Sequence, residues 1–389
     1  MILTFDSQNR VLDRGSVEVL PDGTIGRVGG SQSVHIIDAG GKVLMPALIN
    51  CHTHLYSTIA RGLMLPGPRP KNFPEILKKL WWRLDRALNE EDIYYSALVG
   101  LIDSAKCGVA TVIDHHSSPN ACAGSLDQIA RAFNKVGLRG ATCYETSDRN
   151  GPKSAREAIR ENIRFLEKSG PVWGAFGLHA AFTLSDRTLR ACAEANESFH
   201  AGFHVHVAED KVDRAAVRRL DSAGILNERT LAAHCVHLAA SDRKILVERR
   251  VNVVHNPQSN RNNGVGTAKV VPGVLTGLGT DGFSSRVWEG SAELLLNNRE
   301  IVKRIWGMDV GRIETGARAD LVLVDYFPPT PIDSSNVFSH FLFGIANAPV
   351  DSLMVGGRWV LQGKKLVTVD ETRIARKACK CAKALWERL

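Results

Sequence analysis

A chain of 389 residues, 44% hydrophobic and 23% charged, can bury a large core, which excludes a disordered protein and points to one large domain with a smaller companion. The formal net charge of +8 is spread over dispersed Lys and Arg with no basic run interleaved with aromatics, so a solvated basic surface is expected and nucleic acid is not. No apolar run approaches the ~20 residues of a membrane span, and MILTFDSQNR lacks the basic and apolar regions of a secretion signal, so a cytoplasmic protein without membrane contact is expected.

Residues 1–43 read as short strands punctuated by PDG at 21–23 and GG at 29–30 and 40–41, a small β module. From Val43 onward apolar strands alternate with helical stretches: LMPALIN, a helix-rich 74–106, GVATVIDHH, a helical 125–136, GLRGATCYE, a helical 153–168 and VWGAFGLHA. The alternation continues with a helix near 186–198, GFHVHVAE, a helix near 211–222, TLAAHCVHL, a helix near 241–248, VNVVHNPQ and GVLTGLGTDG. Eight strand candidates in such alternation predict an α/β fold, a (β/α)₈ TIM barrel over 44–307, in preference to an open doubly wound sheet. Strands return in GARADLVLVDY (316–326) and APVDSLMVGGRWVLQGKKLV (348–367), so 308–370 is expected to join 1–43 in a small β-sandwich domain built from both chain ends. Residues 371–389 read as an amphipathic docking helix. The eight cysteines show no C-x-x-C pair and are expected to be free thiols, with Cys51 and Cys235 facing the surrounding helices.

His52, Thr53 and His54 close the apolar run LMPALINCHTH. Alternate residues of a strand share a face, so both imidazoles can chelate one metal ion. Two neighbouring histidines alone are a weak signal, but HVHVAED, LAAHCVHL, VVHNPQSN and LGTDG each place a ligand or proton-transfer side chain where a strand runs out. His206 and Glu209 can present an imidazole and a carboxylate over the barrel mouth. His204 lies on the same face one layer deeper, where a hydrogen-bonded interior histidine is the ordinary reading. His234 is favoured as the inward residue of its strand and His237 as a loop or helix-start residue. Asp281 would complete a set of three imidazoles and one oxygen, which suits zinc and also Fe²⁺ or Mn²⁺.

The set PALINCHTHLYSTIARG, GLHAAFTLS, HVHVAED, AAHCVHL, HNPQSN, LGTDG and GARADLVLVD resembles the amidohydrolase superfamily, in its deaminase and chlorohydrolase branch, over nearly the whole chain. HTHLYSTIARG, VIDHH and FSHFLFGIANAPVDSLMVGGRWVL are most similar to the SsnA-like aminohydrolases. The resemblance implies that His52, His54, His206 and Asp281 bind one divalent metal, with zinc first among the candidates. It implies that Glu209 shuttles protons, that His234 orients the hydroxide and the developing oxyanion, and that His179 and His255 face substrate. Arg61 and His115, within HTHLYSTIARG and VIDHH, are further substrate-contact candidates. Binuclear members carry a lysine at the end of the fourth strand, where this chain has FGLHAAF, so a single metal is implied.

The expected activity is hydrolytic deamination of a small purine-, pterin- or triazine-like heterocycle, with Asp281 also accepting a proton. The alternatives are hydrolysis of a non-aromatic C–N bond, as in ring opening, and a catalytically silent barrel that binds a ligand. A homodimer is compatible with the sequence. The stretch between Asp281 and GARAD is shorter than the family pattern, which leaves barrel closure as the feature for a structure to decide.

Overall fold

A computed structural model of the chain describes residues 1–30, 36–287 and 291–389. Its centre is a TIM-barrel-like α/β array of two parallel sheets. Leu48–Thr53, Val109–Asp114, Arg139–Thr142 and Val172–Gly174 form the first sheet, and Phe176–Ala180, Phe203–Val207, Leu231–His234, Asn252–His255 and Thr276–Leu278 form the second. The expected strand VWGAFGLHA is thus divided at Ala175. The Ala175 amide bonds Thr142 O (3.2 Å) in one sheet and the Phe176 amide bonds Gly202 O (2.9 Å) toward the other, so the segment is shared between them.

Neither sheet closes on itself. The last strand reaches the first through the Thr280 and Asp281 amides, which both bond His52 O (2.9 and 3.0 Å). The short region after Asp281 contains the helix Ala292–Trp306, whose buried Asn298 binds both strands at once. Its Nδ2 donates to Ile49 O (2.7 Å) and Leu278 O (2.9 Å), and its Oδ1 accepts from the Leu278 amide (2.7 Å). A Cβ on Gly277 would lie 2.2 Å from Asn298 Oδ1, so glycine is required for this close approach.

Helices Glu90–Lys106, Ser125–Val136, Pro152–Leu166, Asp186–Asn196, Ala216–Ser222 and Ala240–Glu248 follow successive strands. Ser125–Val136 shows the local logic: Leu126, Ile129, Ala132, Phe133 and Val136 recur at helical spacing and are buried, and Gly137 ends the helix in the left-handed region (φ 88°). Cys51 Sγ faces Asn298 O (3.8 Å) on the outer helix, and the eight cysteines are free.

The chain ends do pair, although two sheets of comparable size are not what they build. Val43–Pro46, assigned from sequence to the barrel, belongs instead to a seven-stranded sheet with Ile2–Leu3, Val11–Leu12, Leu321–Val324, Val350–Val355, Arg358–Gln362 and Lys365–Leu366. Pro46 has no amide hydrogen to continue a ladder, and the chain changes sheets at Ala47. The hairpin Val17–Val19 and Ile25–Val28 packs on this sheet through Ile25, Ile2, Leu321 and Met354. The C-terminal helix Glu371–Trp386 buries Ile374, Ala378, Cys381 and Leu385, and Trp386 Nε1 donates to Ile59 O (3.0 Å). Among the described residues no helix is long and apolar enough to cross a membrane.

Candidate metal centre and active site

The C-terminal strand ends converge on a group of imidazoles. His54 Nδ1 donates to His115 O (2.6 Å) and His206 Nδ1 donates to His179 O (2.8 Å). A carbonyl oxygen only accepts, so both rings carry hydrogen on Nδ1 and turn a lone pair on Nε2 inward. Those two Nε2 atoms lie 3.2 Å apart, and Asp281 Oδ1 is 3.0 Å from His54 Nε2 and 3.7 Å from His52 Nε2. His52 Nε2 is buried with no hydrogen-bond partner. Lone pairs and a carboxylate pointed at one another are unfavourable unless a cation lies between them, and His52, His54 and Asp281 bring ligand atoms close enough to share one, as do His52, His206 and His234 and, on the other side, His54, His115, Glu145 and His206. A proton is the smallest such cation: burial opposes charge on His54, but its hydrogen bond to Asp281 together with the Asp281 and Glu145 charges and the His115 carbonyl outweighs this and lifts the imidazole to about 9. Burial pushes His52 down to about 3 and His206 well below the ordinary range.

His204 sits beneath this group, its Nε2 2.8 Å from His52 Nδ1 and its Nδ1 3.7 Å from Cys143 Sγ. Asp281 is held in the left-handed region (φ 55°), a strained conformation for a non-glycine residue. Its carbonyl accepts Thr53 Oγ1 (2.8 Å) and the His54 amide (3.3 Å), and Ser259 Oγ donates to its Oδ2.

Glu209 and His234 flank the Asp281 side. His234 Nδ1 donates to Asn260 Oδ1 (2.8 Å), which leaves an unpartnered, buried Nε2 at 3.6 Å from Glu209 Oε2 and 3.9 Å from Asp281 Oδ2. Burial raises the Glu209 carboxyl to about 7, with the Asp281 charge adding to the effect while His234 and Asn263 oppose it. At neutral pH Glu209 is therefore poised to hold or release a proton.

A cavity opens above, lined by His54, His206, Glu209 and Asp281 on its floor, by Glu145, Arg149 and His179 on one wall, and by Phe73, Leu77, Trp81, Trp82, Phe182 and Phe283 around its mouth. Thr183 Oγ1 donates to Ala180 O (2.9 Å), so His179 Nδ1 must be the donor to Thr183 Oγ1 (2.8 Å) and its Nε2 is an acceptor. Burial keeps this ring neutral, pushed down to about 3.

Other sequence expectations fare differently. His115 lies beneath the cavity, its Nδ1 3.1 Å from Glu145 Oε1 and its Nε2 3.1 Å from His204 O, and His255 is buried outside the lining with its Nε2 unpartnered. Arg61, expected to contact substrate, does not line the cavity. It follows the 3₁₀ turn Leu55–Ala60 and extends outward to Asp103 Oδ2 (2.8 Å), with 62% of its side chain exposed. Sequence reasoning passed over Glu145, Arg149 and the partner of Arg149, Asp85. Glu145 stands at the end of GLRGATCYE, the same strand-end position that marked the other acids.

A TIM-barrel-like fold carries a histidine-rich candidate metal site at the strand ends. The Amidohydrolase family model matches residues 43–301, and the chain belongs to that family, hydrolases of carbon–nitrogen bonds other than peptide bonds. It is 30% identical to the 5-methylthioadenosine/S-adenosylhomocysteine deaminase of Desulforudis audaxviator, over 94% of this chain and 92% of that one. It is 29% identical to the 5'-deoxyadenosine deaminase of Methanosarcina mazei, over 100% and 97%. Among solved structures, a zinc-bound adenosine deaminase from Xanthomonas campestris superposes with a TM-score of 0.81 at 21% identity, covering 99% of this chain and 96% of that one.

Proposed function

We propose that this protein is a mononuclear metal-dependent aminohydrolase that deaminates a small heterocycle in the cytoplasm. The carrying observation is the convergence of the His54 and His206 Nε2 lone pairs on Asp281, with a protonatable Glu209 beside them. His52, His54, His206 and Asp281 would hold one divalent cation, zinc first, which when bound supplies Lewis acidity and brings water to a pKa of about 7.

The chain's own groups do the rest. His234 Nε2, an acceptor by its tautomer, orients the attacking water. Asp281 takes a proton from it, Glu209 protonates the ring nitrogen next to the reacting carbon, the proton held by Asp281 passes to the departing amine, and the adduct's hydroxyl proton returns to Glu209 as the carbonyl forms. The C–N bond is replaced by C–O, water provides the oxygen and hydrogens, and ammonia and a ring carbonyl result with no redox change.

Metal analysis of protein purified without chelator, paired with an ammonia-release screen over heterocyclic amines, tests this reading. About one equivalent of metal and ammonia from at least one heterocycle are expected. Absence of tightly held metal would leave the silent-barrel alternative standing, and ring-opened product without ammonia would favour the non-aromatic C–N alternative.

A further inference from the structure

The two carboxylates near the ligand group approach it from opposite sides. Glu209 comes from the His234 side, whereas Glu145 comes from the His54 and His115 side, its Oε1 3.8 Å from His54 Nδ1. Glu145 is 4% exposed, and its Oε1 is engaged by His115 Nδ1. Among the described residues its Oε2 makes no hydrogen bond; Arg149 Nη2 is 3.8 Å away and is already bonded to Asp85 and Ser117. The neighbouring His179 presents an acceptor as well, by the tautomer fixed through Thr183. Glu145 and His179 therefore offer acceptors on this wall, beside the Arg149 guanidinium, whose Nε is without a partner.

A ring carbon undergoing deamination has two ring neighbours. If Glu209 serves a ring nitrogen on one flank, the other flank lies toward Glu145. In a cyclic amidine such as adenine or cytosine that flank is carbon, which would leave a carboxylate oxygen of the cavity wall facing a carbon instead of a donor. In a cyclic guanidine, the N–C(NH₂)–NH pattern of guanine or isocytosine, it is an N–H donor. A site built to bond a donor rejects an analogue that lacks it far more strongly than an apolar pocket would.

We propose that Glu145 is a specificity-determining residue that receives the N–H of a guanidine-type ring carbon, so that the preferred substrates are 2-amino-oxo heterocycles and not amidine-type ones. This rests on the deamination reading above.

The test uses zinc-loaded protein and two probe pairs, guanine against adenine and the isomers isocytosine against cytosine. Binding is followed by fluorescence of Trp81 and Trp82, which line the cavity, and turnover by ammonia release. The wild type is expected to favour the guanidine-type member of each pair it binds at least tenfold, the lower end for a charge-assisted hydrogen bond. E145Q should shrink that ratio to about threefold or less by weakening the guanidine-type member, and E145D, which keeps the charge, should retain a preference.

Preference for the amidine-type members, equal binding, binding of neither pair, or an E145Q loss shared equally by both members would overturn the proposal. The last pattern, with metal content falling alongside, would make Glu145 a support for His115 and no more. Preference in binding with no ammonia from any heterocycle would instead sink the deamination reading while leaving the role of Glu145 intact.

Discussion

The two ends of the barrel spend their buried polar groups in opposite ways. At the floor, where strands begin, charges and amides are tied to one another: Arg139 makes a two-pronged pair with Asp320 (2.9 and 3.0 Å), Gly356 N adds a bond to the same carboxylate (2.7 Å), and Asn252 Nδ2 binds Glu228 O and Thr230 O (2.9 and 3.0 Å). At the mouth, where strands end, His52, His234 and His255 each leave an Nε2 unpartnered, and lone pairs face a carboxylate. Backbone strain follows the same division. Positive φ at His200 and Arg250 falls in helix-to-strand turns, but at Ala208, His234 and Asp281 it falls on the strand ends themselves. The floor is organised for stability and the mouth for a ligand it must bind to be satisfied.

The strongest way to break this comparison is at the ligand group. His206→Ala should lose metal and activity together, because it removes one of four proposed ligands while His204 is already bonded to His52 and His234 is tied through its Nδ1 to Asn260. Full metal occupancy and turnover in that variant would make His204 the ligand and shift the register of the strand by one layer.

A smaller effect is expected one step out. Glu209→Gln should keep metal while kcat falls by roughly 10² to 10⁴, the range for lost general acid–base catalysis. A Gln variant that cannot hold metal would place Glu209 among the ligands. His234→Asn should also keep metal, and metal content of His234→Asn and Asp281→Asn measured side by side decides which of the two residues is the ligand.

The alternation of apolar strands and helices, and the polar residues at strand ends, were legible in the sequence because each rests on a local pattern. Ser125–Val136 is read to the residue from its 3.6-residue spacing. What was not legible depends on long-range geometry. Nothing local distinguishes Val43–Pro46 from Leu48–Thr53, since both are short and apolar and only their pairing partners, Ile2–Leu3 and Leu321–Val324 for the first and Val109–Asp114 for the second, separate them. The junction of last and first strands joins backbone bonds from Thr280 and Asp281 to His52 O with one side chain, Asn298, that reaches both strands. Arg61 sat in a matching motif, but motif position does not state on which side of a 3₁₀ turn a long side chain leaves. Glu145 went unweighed because its role depends on what surrounds it in space.

At the floor the prediction is reversed: loss of stability without loss of chemistry. Asp320→Ala strands Arg139, 14% exposed, without its partner and should cost about 3 kcal/mol of unfolding free energy. Denaturant unfolding would show this as a lowered midpoint, while metal content and kcat of the folded fraction stay near wild type. A variant as stable as wild type, or one that loses metal while folded, would end the division of labour between the two ends.

The smallest effect concerns the proton that Glu209 holds. Its folded value is raised from 4.5 to about 7, so in the metal-free protein it contributes stability that is fully present below the unfolded value and is lost as pH rises through about 7. Asp213, raised to about 7, and Asp114, raised to about 6, both by burial, act in the same direction, so wild-type Tm alone cannot assign the effect. The comparison with Glu209→Gln can. The variant carries no titrating carboxyl there, so its Tm relative to wild type should rise as pH goes from about 4.5 to about 7.5 in chelator-treated protein. Turnover sharpens the assignment from the other side: if Glu209 acts as an acid, wild-type kcat has a descending limb at or below about pH 7, since a bound cation nearby favours the carboxylate, and the Gln variant lacks it. A Tm difference that stays constant across this window would show that Glu209 is ionised in the folded protein throughout, and the mouth would then hold its acids as the floor does.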